Sequence, residues 1–129
     1  SVIMGRKNYL SIPHKFRPLK DRVNIILTSN TSFKAEGCLI ANSLEDGISM
    51  AQKEGKEIFI IGGGKVYAYS IQNNLVDVMY ITRIHANIKG DTFFPKLNMQ
   101  DWEKKSEIFH PKDANHKYDF TYLKYIKID

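Results

Sequence analysis

The chain has one cysteine, Cys38, among its 129 residues, so no internal disulfide can form and stability has to come from packing. That usage fits a reducing compartment and leads to the expectation of a cytoplasmic protein. Long apolar runs are missing as well: nothing approaches the roughly 20 residues of a membrane-spanning helix, and no secretory leader pattern is present. There are no internal repeats, linkers or low-complexity tracts. Neither G-x-G-x-x-G nor the Walker spacing occurs, which removes the two common nucleotide motifs. Cys38 lacks an evident base and no serine lies in a G-x-S-x-G elbow, so nucleophilic catalysis has no support. Most acids fall in turns or on helix surfaces, which leaves paired-carboxylate chemistry equally unsupported. The histidines His14, His85, His110 and His116 are dispersed, without ligand spacing to cysteine or carboxylate, and no metal is expected.

What is present is an ordinary globular composition, 43% hydrophobic and 26% charged, in a length that suits one domain over residues 1–129. The net charge of +5 favours anionic ligands. Its basic residues are scattered, so no nucleic-acid partner is expected. The Tyr/Phe-rich tail with interleaved lysines could form a nucleic-acid platform, but it reads better as the core face of a strand with lysines on its solvated edge.

The most informative stretch is Ile58-Phe59-Ile60-Ile61-Gly62-Gly63-Gly64-Lys65. Its unbroken apolar run predicts a strand buried on both faces, and a helix is predicted from Val66 to Leu75. Glycines between a strand and a helix let backbone N–H groups approach an anion, and a lysine at a helix start opposes the macrodipole unless an anion sits there. A tight turn with a solvated lysine fits this element equally well when it is taken alone. The opening residues repeat the pattern: apolar Val2-Ile3-Met4, then Gly5, then Arg6-Lys7-Asn8 starting a short helix to Ser11. Because the chain opens directly on a buried strand, an upstream segment is expected to be missing.

Further strands are predicted at Val23–Leu27 and Cys38–Ala41, with a polar loop at 14–20 and a hydroxyl-rich turn at 28–32. A helix capped by Asn42 or Ser43 is expected to run to about Gln52, with Leu44, Ile48 and Ala51 on its apolar face. A strand over 76–85, a turn at 89–92, an apolar anchor at Phe93-Phe94-Pro95, a strand at 106–109 and a closing strand over 118–126 complete the chain. Strands alternating with helices predict an α/β fold: a mixed, mostly parallel central sheet flanked by helices, with an antiparallel C-terminal hairpin. Such sheets bind ligands at strand C-terminal ends. Arriving there are Gly5 to Asn8, Thr28-Ser29, Asn42 and Gly62 to Lys65, a set suited to a phosphorylated dinucleotide, with Arg6, Ser29 and Lys65 suited to a peripheral phosphate. Arg17 and Arg22 could hold a carboxylate.

Val2-Ile-Met-Gly-Arg-Lys, Ser11-Ile-Pro, Arg17-Pro-Leu-Lys-Asp-Arg22-Val-Asn-Ile-Ile-Leu, Ile60-Ile-Gly-Gly-Gly-Lys-Val-Tyr67 and Gly90-Asp-Thr-Phe-Phe-Pro95 follow one another in an order and spacing that resembles dihydrofolate reductase. The resemblance spans the whole chain. It implies reduction of 7,8-dihydrofolate to tetrahydrofolate with hydride from NADPH, in a monomer that also takes antifolate-type small molecules. It places Gly5, Arg6, Lys7, Asn8, Thr28, Ser29, Asn42, Gly62, Gly63, Gly64, Lys65, Val66 and Tyr67 at the cofactor, with Arg6, Ser29 and Lys65 on its 2′-phosphate. Asn42 departs from a lysine found in a relative. It implies a cis peptide at Gly62-Gly63. On the substrate side it places Ser11, Ile12 and Leu19 at the benzoyl group, Arg22 with Arg17 at the glutamate carboxylate, Ile61 and Tyr67 at the pteridine–nicotinamide junction, and Thr82 in the network behind the pterin. The family's single active-site carboxylate lies on a helix that would precede Ser1, and none of the 14 acids here matches it, so no catalytic residue is expected in this chain and these residues alone are expected to be inactive. Two other readings are a same-fold pyrimidine reductase of riboflavin synthesis, for which an Arg22 clamp has no purpose, and a non-catalytic NADPH-binding remnant.

Overall fold

A computed structural model describes residues 1–91 and 93–128; Thr92, the last residue of the expected 89–92 turn, and Asp129 lie outside the described residues. The chain divides into two compact units, Ser1–Ser70 and Ile71–Asp129.

The first unit holds parallel strands β1 (Val2–Gly5), β2 (Asn24–Leu27), β3 (Cys38–Ala41) and β4 (Phe59–Ile60), hydrogen-bonded in the order β3-β2-β1-β4. Helix α1 (Arg6–Ser11) follows β1, α2 (Leu44–Gln52) follows β3 and α3 (Gly64–Gln72) follows β4. β1 and β2 run without polar alternation because both faces are covered. Val2, Met4 and Ile26 pack with Tyr9 of α1. Ile3, Ile25 and Leu27 meet α2 at Gly47, where an added Cβ would stand 3.1 Å from Leu27 Cδ2. Ile3, Met4, Ile25 and Ile26 are completely buried, each contributing about 1.5–3 kcal/mol of apolar burial. The Ser43 hydroxyl accepts from the Asp46 N–H at 3.1 Å and starts α2, with Glu45 and Asp46 in its first turn as the dipole prefers.

Several boundaries differ from expectation. The run Ile58–Ile61 forms only a two-residue strand, and Phe59 is 44% exposed. Among the described residues β4 pairs with β1 alone and stands at the end of the sheet, and the exposed Phe59 leaves one of its faces uncovered. α3 begins two residues before Val66, because the Tyr67 N–H reaches the Gly63 carbonyl at 3.0 Å. It ends by Gln72, and Asn74 adopts a left-handed φ of 56°. Within the expected loop, His14–Phe16 forms a 3-10 turn and the Arg17-Pro18 peptide is cis.

The second unit is an antiparallel sheet, β5 (Val78–Ile84), β6 (Trp102–His110) and β7 (Phe120–Lys127), in the order β5-β7-β6. Met79, Trp102 and Phe120 are its buried apolar side chains. β6 starts at Trp102, ahead of the expected 106–109, and carries a register shift between Lys104 and Ser106. Phe93, expected as an anchor, is 76% exposed. The α/β class, with a parallel sheet, flanking helices and an antiparallel C-terminal hairpin (β6–β7), is as the sequence predicts.

Candidate active site

β1, β2 and β3 succeed one another in the sheet, whereas β4 returns to the opposite side of β1. The C-terminal ends of β1 and β4 therefore flank the point where the strand order reverses, the usual ligand position in open α/β sheets. Two glycine turns meet there. The Gly5 N–H donates to the Gly62 carbonyl at 2.9 Å. Gly62 has φ +125°, a conformation that excludes most side chains, and a Cβ at this position would stand 3.3 Å from Asn8 Oδ1. Gly63 has nothing within 4 Å of where its Cβ would be, so backbone is open to close approach. The Gly62-Gly63 peptide is cis. The Asn8 side-chain amide donates to the Ile61 carbonyl at 3.3 Å and ties α1 to this turn.

Beside the turn lies a hollow of about 390 Å³ whose walls include Thr28, Ser29, Asn42, Lys65, Val66 and Tyr69. Hydroxyls, a side-chain amide and an exposed lysine make a donor set that fits an anionic, hydrogen-bonding ligand, while Glu45, the carboxylate in the same lining, is engaged by Tyr69. Neither α1 nor α3 has an acid in its first turn to neutralise its cations. The Tyr69 hydroxyl donates to Glu45 at 2.5 Å, which holds the Glu45 carboxyl below the ordinary carboxylate range and raises the Tyr69 phenol. Arg6 is not among the residues lining the hollow; its guanidinium lies 5.8 Å from the Phe33 ring centre. Lys7 is exposed. Tyr67 is half-buried, and burial pushes its phenol up.

On the other side of α1, Ile12, Leu19 and Ile61 pack against the cluster of Val2, Met4, Tyr9 and Ile26. Ser11 is exposed and its hydroxyl donates to the Asn8 carbonyl at 2.6 Å. The two arginines separate in role. Arg17 donates to the Leu10 and Ile12 carbonyls at 3.0 and 3.1 Å, closing the end of α1. Arg22 is exposed and donates through Nε to the Lys20 carbonyl at 2.8 Å. The chain between them is held by Asn24, a residue sequence reading passed over as part of a strand. Asn24 is 1% exposed; its Oδ1 accepts from the Leu19 N–H, and its Nδ2 donates to the Leu19 and Arg22 carbonyls. A polar residue in an otherwise apolar strand was the available signal. Thr82 lies exposed on β5 of the second unit, opposite Tyr122.

The histidines are not all dispersed, contrary to expectation: His110 and His116 converge with Asp113 at the β6–β7 turn. The spacing His-x-x-Asp-x-x-His was legible in the sequence, but only the hairpin turn makes it a cluster.

A family profile described as dihydrofolate reductase matches residues 1–127. The chain belongs to the dihydrofolate reductase family. It is 40% identical to a dihydrofolate reductase of Staphylococcus haemolyticus over 99% of this chain and 74% of that protein. The dihydrofolate reductase of Haemophilus influenzae is 37% identical over 95% and 72%. Among solved structures, dihydrofolate reductase from Enterococcus faecalis, complexed with NADP(H) and RAB-propyl, superposes with a TM-score of 0.86 at 35% identity, over 99% of this chain and 74% of that one. The glycine turns at the strand-order reversal are thus those of a dihydrofolate reductase-family sheet.

Proposed function

We propose that these residues form the cofactor cradle and the substrate-tail clamp of an enzyme that reduces 7,8-dihydrofolate to 5,6,7,8-tetrahydrofolate with NADPH, supplying one-carbon metabolism. The reaction is that of the family. The observation that carries the assignment of the cradle is the meeting of the two glycine turns, Gly5 to Gly62, with Gly63 open and Lys65 in the adjoining hollow. The NADP(H) of the Enterococcus faecalis relative supports it. NADPH supplies the hydride; the chain's own residues bind and orient. Gly62 to Gly64 and the α1 start, Gly5 to Asn8, face the diphosphate, while Thr28, Ser29, Asn42 and Val66 line the adenosine half. Arg6, Ser29 and Lys65 hold the 2′-phosphate. Ile61 and Tyr67 stand at the junction with the pteridine, Ser11, Ile12 and Leu19 flank the benzoyl group, and Arg22 clamps the glutamate carboxylate while Arg17 fixes the end of α1. We infer that the proton accompanying hydride comes from an acid outside these 129 residues, in a cytoplasmic monomer that takes dihydrofolate and antifolate-type small molecules.

The test is Lys65→Ala, with Kd measured for NADPH and NADH. A charge-assisted phosphate contact is worth about 1.5–3 kcal/mol, so NADPH affinity should fall about tenfold to a hundredfold and NADH affinity little. Equal losses for both nucleotides would overturn the 2′-phosphate assignment.

A further inference from the structure

The tip of the β6–β7 hairpin carries a second set of chemically active side chains that the reductase reading leaves unused. His110 ends β6, and Asp113 and His116 form the turn before β7, so a span of seven residues, 110–116, supplies all three. One ligand atom from each lies within 4.8 Å of the other two. His116 Nδ1 is 2.8 Å from Asp113 Oδ1, and His110 Nε2 is 3.7 Å from Asp113 Oδ2.

The tautomer of His110 makes this more than proximity. Its Nδ1 lies 2.8 Å from the Pro111 carbonyl, which can only accept, so Nδ1 carries the ring hydrogen. In the neutral ring, the Nε2 lone pair then faces the Asp113 carboxylate. Two acceptors turned toward each other are stabilised by a cation between them. A ring nitrogen donating to a backbone carbonyl while its partner nitrogen is left for a metal is the usual outer-shell arrangement of histidine ligands.

The frame is also held in place. The Asp113 N–H donates to the His116 carbonyl at 3.0 Å and the His116 N–H to the Asp113 carbonyl at 3.2 Å. The Lys112 N–H donates to Asp119 Oδ1 and the Asn115 N–H to Asp113 Oδ1, both at 2.8 Å. The His110 ring stacks on buried Phe120 at 4.5 Å, and the His116 ring lies 5.0 Å from the same side chain. Such packing restricts the rotations that would scatter the ligands.

We propose that His110 Nε2, the Asp113 carboxylate and His116 Nδ1 bind a divalent transition-metal ion, zinc in the first place, at the tip of the β6–β7 hairpin, the ion taking the place of the hydrogen that His116 Nδ1 donates to Asp113 Oδ1 while that ring passes to its Nε2–H tautomer. Two imidazoles with one carboxylate suit zinc, nickel or copper, whereas magnesium and calcium prefer oxygen alone. With zinc–ligand distances of about 2.0–2.2 Å, tetrahedral ligand atoms stand about 3.3–3.6 Å apart, so the His116–Asp113 pair at 2.8 Å opens slightly while the wider separations close by up to about 1.5 Å, within reach of side-chain rotations, and water completes the coordination. The ion would join the end of β6 to the residues that lead into β7 and so brace the hairpin.

Calorimetric titration of the 129-residue chain with Zn²⁺ tests this, with Mg²⁺ as the oxygen-seeking control. One zinc per chain is expected, weakened at least about tenfold in His110→Gln or His116→Gln and unchanged in His14→Gln, with no binding of Mg²⁺. In the unaltered protein, side-chain NMR signals of His110 and His116 should move on zinc addition while those of His85 stay, a readout that does not depend on the variants folding. Absence of zinc binding, zinc binding undiminished in both cluster variants, or unmoved His110 and His116 signals would each overturn the proposal and leave an imidazolium–carboxylate pairing as the reason for the geometry.

Discussion

Asn24 shows how one buried amide can set the path of a loop. A side chain that is 1% exposed and makes three hydrogen bonds to the Leu19–Arg22 segment cannot be replaced by an apolar group without stranding a Leu19 N–H and two carbonyls. At about 1 kcal/mol for each bond lost, Asn24→Ala should destabilise the chain by about 3 kcal/mol in denaturant unfolding. If Arg22 on the same segment clamps the substrate tail as proposed, dihydrofolate affinity should fall more than NADPH affinity. A second residue-level effect depends on pH. The Tyr69 hydroxyl lowers the Glu45 pKa in the folded state, so its contribution is present above the unfolded carboxylate pKa and disappears as pH falls through the folded value. Tyr69→Phe should therefore be less stable than the parent at neutral pH and converge with it in the acid range. Parallel stability–pH curves throughout would show that the hydrogen bond is not linked to Glu45 ionisation.

At the scale of the element, α2 lies close to the sheet because Gly47 has no side chain. A Cβ there would meet Leu27 Cδ2 at 3.1 Å and the Ile25 and Ile3 Cγ2 atoms at 3.6 Å. Leu27 ends in a flexible methyl, so one added carbon can be accommodated in part, and alanine also gains about 1 kcal/mol of helix propensity. A branched side chain cannot. Gly47→Val should cost about 1–3 kcal/mol through overpacking, read as a lower denaturant midpoint at unchanged slope. An unchanged midpoint would mean that α2 can lift from β1 and β2 freely. Because α2 follows Asn42 and Ser43, its seating also fixes one wall of the hollow.

At the scale of the whole molecule, what the sequence disclosed and what it withheld divide by the range of the cause. Apolar runs punctuated by Gly5 and Gly62 are local signals, and they led to the parallel strands, the glycine turns and the residues that meet there. The short β4, the carbonyl contacts of Arg17, the partners of buried Asn24 and the His110–Asp113–His116 convergence depend on chain packing or turn geometry; a polar residue in an apolar strand and a His-x-x-Asp-x-x-His spacing mark positions without giving their partners. The proposed division of labour, a complete cradle here and the proton donor elsewhere, makes binding and turnover separable. If the cradle is preformed, NADPH at a hundred times its Kd should add about 2.7 kcal/mol of stability by mass action, and raise the Tm of these 129 residues by roughly 10 °C. NADH at the same concentration should raise it less, since Lys65 and Ser29 would have no 2′-phosphate to hold. Under the same conditions dihydrofolate-dependent oxidation of NADPH should be negligible if, as proposed, the residues that orient the cofactor do not deliver the proton. Thermal stabilisation without turnover is the expected pair of results. Robust turnover would place the proton donor within this chain, and an unmoved Tm would mean that the glycine turns are not a preformed nucleotide cradle.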